Sequence, residues 1–408
     1  MSYQYKDIEV IIKTLNLNRG PFVGPALCDA VQGDPDRKIP QDIIGYHIPE
    51  FKRVMGFPEK EYPFFAELQP EIPWIQPDTA FNAQNPWSQF CGIPLNSRMG
   101  LHLPISVFKK GVSPERQVEL FISNRKACID FGEKRGVMYY VLHIANENFH
   151  QNHTVVKEIL RKTIAYLCEI KTNSFILIEN LEYPGYPSTP QELYWWFHRL
   201  KELAGSVPVK IGVMMDVSHL WRTRGEIIKA MREGRALPEW ITAEKDIIHQ
   251  PYHDFLNYTL KTKLDGIPVI GFHVGGCYGN ETHLIPGVQV GHDPETTPAE
   301  INRFYDENVE MNMKTTLKNI VQYYFDSYRE AGDIHQEFRP LYIVTESYIS
   351  YYNRQLQPLT YSSVLKGTRA VRDYLLQYYR KLLDKSLGRV RFYEYLSASA
   401  EDPSLHRE

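Results

Sequence analysis

The sequence predicts an α/β fold, a closed (β/α)8 barrel, and three observations predict it. Six apolar runs each end in a His, Asp or Glu: Gly100-Leu101-His102, Tyr140-Val141-Leu142-His143, Ile176-Leu177-Ile178-Glu179, Met214-Met215-Asp216, Ile270-Gly271-Phe272-His273 and Ile343-Val344-Thr345-Glu346. The steps from His102 to His143, to Glu179 and to Asp216 are each about 35 to 40 residues, one strand plus one covering helix. Helical patterns occupy the intervals. Parallel strands that deliver polar side chains at their C-terminal ends gather them at one mouth of a barrel.

The elements follow in order. Residues 1–95 read as an N-terminal segment with a short amphipathic helix over 8–17 and a Pro- and aromatic-rich stretch through Pro58, Pro63, Pro70, Pro73, Pro77 and Pro86. A complete barrel needs its first two strands here, and 21–27 and 63–68 fit best. Residues 96–350 form the barrel core. Helices over 114–134, 153–171 and 192–203 precede the strands into His143, Glu179 and Asp216 in turn. Two or three short helices lie between His219 and His273, beginning with Arg222-Thr223-Arg224-Gly225. A long loop over 275–298, a helix over 299–330 and a last strand over 340–345 complete the core. Residues 351–408 hold a helix over 361–387, with Tyr and Leu on one face and Lys and Arg on the other, and then a polar tail.

Composition narrows the function. The chain has 408 residues, 43% hydrophobic and 23% charged, as a globular protein with a large core requires. A net charge of −3 argues against nucleic acid as the main partner. The five cysteines, Cys28, Cys91, Cys128, Cys168 and Cys277, are scattered and lack Cys-x-x-Cys spacing, which fits reduced thiols. The N-terminus has no basic segment leading into an apolar core. No apolar run approaches the roughly 20 residues of a membrane span. A cytoplasmic protein without a membrane partner is expected.

The chemistry lies in nine residues: His102, His143, Glu179, Asp216, His219, His273, Glu281, His283 and Glu346. Imidazole and carboxylate together suit zinc, manganese and ferrous iron. Nine donors exceed one coordination sphere and suit two or three divalent ions, with Glu179 and Asp216, on central strands, as the bridges. Glu281-Thr282-His283 is read as loop, where alternate residues of an extended chain share a side. One His at a strand end is usually an ordinary core residue, and an Asp there commonly caps the next helix. Six such strand ends together are not accounted for by packing.

Other features are read plainly. Gly275-Gly276-Cys277-Tyr278-Gly279 does not open a helix as a phosphate loop would and reads as a flexible wall, with Cys277 a spectator thiol. Trp195-Trp196-Phe197 reads as core. His150, His153 and His292 read as loop residues near the mouth. Arg222 and Arg224 offer a contact for an anionic substrate, or a solvated basic turn. Glu182 and Tyr183 are candidates for general acid or base.

The order His, His, Glu, Asp-x-x-His, His, acidic-x-His, Glu resembles the endonuclease IV-like and xylose isomerase-like TIM-barrel superfamily over residues 98–350. Glu179-Asn180 with Gly185, Asp216-Val217-Ser218-His219, Glu281-Thr282-His283 with Leu284-Ile285-Pro286-Gly287, and Ile343-Val344-Thr345-Glu346 carry the likeness. It implies a first metal on His102, His143 and Glu179. A second would sit on Glu179, Asp216, His273 and Glu346, and a third on His219, Glu281 and His283. Glu281 stands where the family has Asp, and Leu181-Glu182-Tyr183-Pro184 departs from its pattern.

Glu179, Asp216 and Glu346 are the expected catalytic centre of a multinuclear metalloenzyme acting on a small molecule. A non-heme iron oxidase or oxygenase is the first reading, since the resemblance extends to multinuclear iron oxidases with a similar donor set. Sugar-type isomerases, epimerases or lyases are one alternative, although most keep only a four-ligand subset. A zinc phosphodiesterase of the endonuclease IV type is another, opposed by the charge balance, the length and the N-terminal segment.

Overall fold

The computed structural model describes residues 22–28, 65–69, 98–104, 111–144, 149–278, 281–286, 311–330, 341–347, 367–375, 377–378 and 381–382. The strands are β1 (Phe22–Cys28), β2 (Phe65–Gln69), β3 (Arg98–His102), β4 (Tyr139–Leu142), β5 (Phe175–Glu179), β6 (Lys210–Asp216), β7 (Val269–Val274), β8 (Gly276–Tyr278), β9 (Glu281–Leu284) and β10 (Tyr342–Thr345). All but β8 and β9 form a closed, all-parallel barrel in chain order, with β1 paired to both β2 and β10. The chain is therefore a TIM-type barrel. The two strands expected in the N-terminal segment are β1 and β2.

The described helices include α1 (Pro114–Arg135), α2 (Phe149–Glu169), α3 (Pro190–Ala204), α4 (Val217–Arg232), α5 (Glu239–Ala243), α6 (Lys245–Ile248), α7 (Tyr252–Tyr258), which runs on into a π-helical turn over Thr259–Lys263, and α8 (Met313–Glu330). Local sequence sets their ends. Ser113 caps α1 by accepting from Arg116 N–H, Pro114 opens it, and Gly136 closes it at φ 64°. Thr189 and Glu192 form a reciprocal capping box on α3. Residues 367–375 are helical, within the expected C-terminal helix. The helix expected over 8–17, the Pro-rich stretch and His292 lie outside the described residues.

Three expectations are corrected. Within the segment read as a flexible Gly wall and loop, Gly276–Tyr278 and Glu281–Leu284 are strands of an antiparallel hairpin, β8 with β9. His150 and His153 lie on α2 rather than in a loop. In the aromatic triplet of α3, Trp196 and Phe197 are core but Trp195 is 43% exposed.

Strand periodicity divides the core. Phe65, Tyr139, Val141, Leu177, Met214, Tyr342 and Val344 pack together with Ile270 and fill the barrel interior. Their alternating neighbours, among them Ala66, Tyr140, Ile176 and Ile343, pack outward under the helices. Both faces are buried, so the strands read as continuous apolar runs. The inward parity then continues upward to His143, Glu179, Asp216 and Glu346, which crown the apolar layers at the C-terminal mouth. Among the described residues no helix is long and apolar enough to cross a membrane.

Candidate metal centre

Glu179, at the end of β5 and 1% exposed, is the hub. Its Oε2 lies 3.0 Å from His102 Nε2 and 2.6 Å from His143 Nε2. Its Oε1 lies 2.8 Å from His273 Nδ1. That nitrogen also faces Glu346 Oε2 at 3.0 Å and Asp216 Oδ2 at 3.9 Å. Each donor rides on a different strand end, so the barrel closure itself fixes these separations.

Asp216 performs two tasks. Its Oδ1 accepts from His219 N–H at 2.7 Å and caps α4, the ordinary role for an Asp before a helix. Its Oδ2, also buried, accepts no hydrogen bond and points toward the cluster. His219, in the first turn of α4, turns its Nδ1 to the Asn180 carbonyl at 2.8 Å and its Nε2 to His283 Nε2 at 3.0 Å. Gly275 makes that encounter possible. A Cβ there would fall 2.8 Å from His283 Cα, Ser218 Oγ and the Glu346 carbonyl. Glycine thus lets the hairpin press against α4 and β10. His283 itself sits at φ 57°, a left-handed conformation that favours glycine and marks it as held in place by its surroundings.

The charges are interdependent. Burial would lower the His102 pKa, but the hydrogen bond and charge of Glu179, with the charge of Glu67, raise it. Burial opposes protonation of His273 too, yet Glu179, Glu67 and Glu346 hold it well above the ordinary value. His219 is raised to about 9 by Asp216, Glu182 and Glu179 in spite of its burial. His143, by contrast, is pushed down to about 4 by burial. Burial would raise Glu179, but His273 and His143 pull it well below the carboxylate range. Asp216 is raised, because burial outweighs its imidazole neighbours.

Three groups of donors converge: His102, His143 and Glu179; Glu179, Asp216, His273 and Glu346; and Glu182, His219 and His283. Within each group the ligand atoms lie within 4.8 Å of one another. Ligands 2.0–2.2 Å from one ion lie up to about 4.4 Å apart, so groups gathered this closely need at most a few tenths of an ångström of adjustment to share one. Tautomer geometry fits as well. His102 Nδ1 faces the Leu103 carbonyl at 3.1 Å, as His219 Nδ1 faces that of Asn180, so Nε2 is the nitrogen left for a metal. The buried, undonated Asp216 Oδ2 is a further acceptor aimed at the group. The donor set, the tautomers and this oxygen all accommodate divalent cations.

The first two groups have the membership that the sequence resemblance implies. The third contains Glu182, a candidate general acid or base by sequence, in the place expected for Glu281. Glu281 belongs to β9, but its side chain lies outside the described residues. Glu182 is held by Thr282 Oγ1 at 2.7 Å and by Arg222 at 3.0 Å, so Arg222 faces an acidic partner. Arg224 donates to the Gln250 carbonyl instead. Cys277 is buried, its thiol pKa raised by burial, and it joins none of the three groups. One participant escaped sequence reasoning. Glu67 on β2 is fully buried and lies 3.0 Å from His273 Nε2.

No family model matches the chain, and no curated protein matches it. Solved structures do. A putative xylose isomerase from Rhodospirillum rubrum matches with 13% identity and a TM-score of 0.43, covering 88% of this chain and 99% of that one. A D-tagatose 3-epimerase-like protein matches with 14% identity and a TM-score of 0.39, covering 70% and 80%. Endonuclease IV from Thermus thermophilus matches with 13% identity and a TM-score of 0.35, covering 81% and 94%. The closed strand order of the chain itself defines the barrel.

Proposed function

We propose that the chain is a multinuclear metal-dependent enzyme acting on a small molecule at the C-terminal mouth of the barrel, and specifically a non-heme iron oxidase or oxygenase. One observation carries the reading. Two groups of two histidines and one carboxylate, His102/His143/Glu179 and His219/His283/Glu182, flank the carboxylate-rich group of Glu179, Asp216, His273 and Glu346. That composition, with positions left open, is the one used by ferrous oxygenases. Bound ions would supply Lewis acidity and, as iron, redox capacity.

The chain's own residues do the rest. Glu179 would bridge the first two groups, Asp216 and Glu346 would complete the second, and Glu182 would serve the third. Burial of these donors excludes bulk water, and the β8–β9 hairpin walls one side. A plain isomerase would need only the Glu179, Asp216, His273 and Glu346 group, leaving His219 and His283 without a task. A phosphodiesterase is the second reading, because two histidines with one carboxylate also serve catalytic zinc. The net charge of −3 weighs against nucleic acid as its substrate.

The test is metal analysis of protein purified without added ions, followed by exposure to air. Two or more irons per chain, with an oxygen-dependent colour change, support the oxidase. Three zincs with cleavage of an abasic DNA duplex overturn it.

A further inference from the structure

We infer that Glu67 is a positioning residue: it accepts a hydrogen bond from His273 Nε2–H and thereby reserves Nδ1 for the metal among Glu179, Asp216 and Glu346. This rests on the reading of that group as a metal site. The two nitrogens of His273 face different partners. Nδ1 looks into the donor group, 2.8 Å from Glu179 and 3.0 Å from Glu346. Nε2 looks the other way, 3.0 Å from Glu67 Oε1 and 3.1 Å from its Oε2. Both residues are fully buried.

Glu67 is itself held from two further sides. Tyr139 Oη donates to its Oε2 at 2.8 Å. Gln69 Nε2 reaches its Oε1 at 3.3 Å and the Glu346 Oε1 at 3.1 Å, tying the support to a donor of the cluster. A fully buried carboxylate against the Tyr139 ring is tolerated only when so satisfied. Its place across the imidazole from the other carboxylates makes it a poor ligand for an ion on Nδ1 and a good acceptor for the proton on Nε2. A carboxylate behind a ligating histidine fixes its ring and tautomer and raises its basicity.

Nitrogen-resolved NMR of the zinc-loaded, histidine-labelled wild type should show His273 protonated at Nε2 and coordinated through Nδ1. Chelator competition should show one class of zinc site weakened about 10–100-fold in Glu67→Ala, and less in Glu67→Gln, which keeps an acceptor oxygen. The remaining zinc sites should be unchanged. Melting of the metal-free proteins separates this loss from misfolding, and if Glu67→Ala does not fold, the Gln variant and the wild-type spectrum decide. A proton on Nδ1 in the loaded wild type, or unchanged zinc affinity in folded variants, overturns the inference. Wild type that takes up no zinc at all overturns the metal-site reading along with it.

Discussion

His219 and His283 meet edge to face, Nε2 to Nε2 at 3.0 Å, although they come from different elements 64 residues apart. The contact joins the first turn of α4 to the hairpin, and Glu182 completes one donor group with the two imidazoles. If these three bind one ion, His283→Ala should lower the metal stoichiometry by one and leave the other ions in place. Glu182→Gln should weaken the same ion at least about tenfold, the lower end of what loss of a supporting group produces. Glu281→Gln should weaken it less. Elemental analysis and chelator titration of the three variants decide between Glu182 and Glu281 as the third ligand.

Metal uptake should release protons. His219 is raised from 6.5 to about 9 in the metal-free chain, and His273 is raised well above the same ordinary value. A ligand must be neutral, so affinity should climb as pH rises toward about 9 and level off beyond it. Calorimetry in two buffers of different ionisation enthalpy measures the release, and no buffer dependence at neutral pH would contradict it. The sign for stability of the metal-free fold is opposite. A raised histidine pKa stabilises fully below 6.5, and that contribution disappears as pH rises through about 9. Metal-free protein should therefore melt lower at pH 9 than at pH 6.5, while loaded protein should not.

Asp216 allows cap and cluster to be separated. Asp216→Asn keeps an oxygen to accept from His219 N–H, whereas Asp216→Ala removes it. Burial already disfavours the charge on Asp216, so metal-free Asp216→Asn should melt at or above the wild-type temperature. Asp216→Ala should lose about 0.5–2 kcal/mol, the usual value of an N-cap. Both variants should lose affinity at the Glu179, Asp216, His273 and Glu346 group. Thermal melts with and without metal give all four comparisons.

The strand ends are legible in the sequence because period-two alternation in a doubly buried strand leaves few places for a His, Asp or Glu, and in this chain they fall at the mouth. Glu67 is hidden for the same reason: it sits one turn of the alternation before the end of β2, in a run bounded by Pro63 and Pro70 that reads weakly as a strand. Only the barrel register, which pairs Glu67 with Gly100, brings it under His273. Glu182 reads as a loop candidate for general acid or base and not as a metal ligand, because nothing local in Leu181-Glu182-Tyr183-Pro184 indicates that the loop turns toward Thr282, 100 positions away. The Gly-rich segment misleads because glycine signals flexibility and close packing alike. At Gly275 its value is space for close contact with His283 and Ser218.

Gly100 is another glycine whose missing side chain matters. A Cβ on it would fall 2.1 Å from Tyr139 Cζ and 2.4 Å from its hydroxyl oxygen. The ring that crosses the barrel there delivers the hydroxyl to Glu67 at 2.8 Å. Gly100→Ala must therefore displace Tyr139, and overpacking of this kind typically costs about 1–3 kcal/mol. The displacement should also loosen Glu67 and weaken the ion on His273. Tyr139→Phe removes only the hydroxyl, leaves the ring in the way and should not relieve Gly100→Ala. Tyr139→Leu, which shortens the side chain, should relieve it, so that the double variant is more stable than the sum of the single effects. Chemical denaturation of the metal-free single and double variants measures the coupling. Strict additivity would mean that the ring does not depend on the glycine.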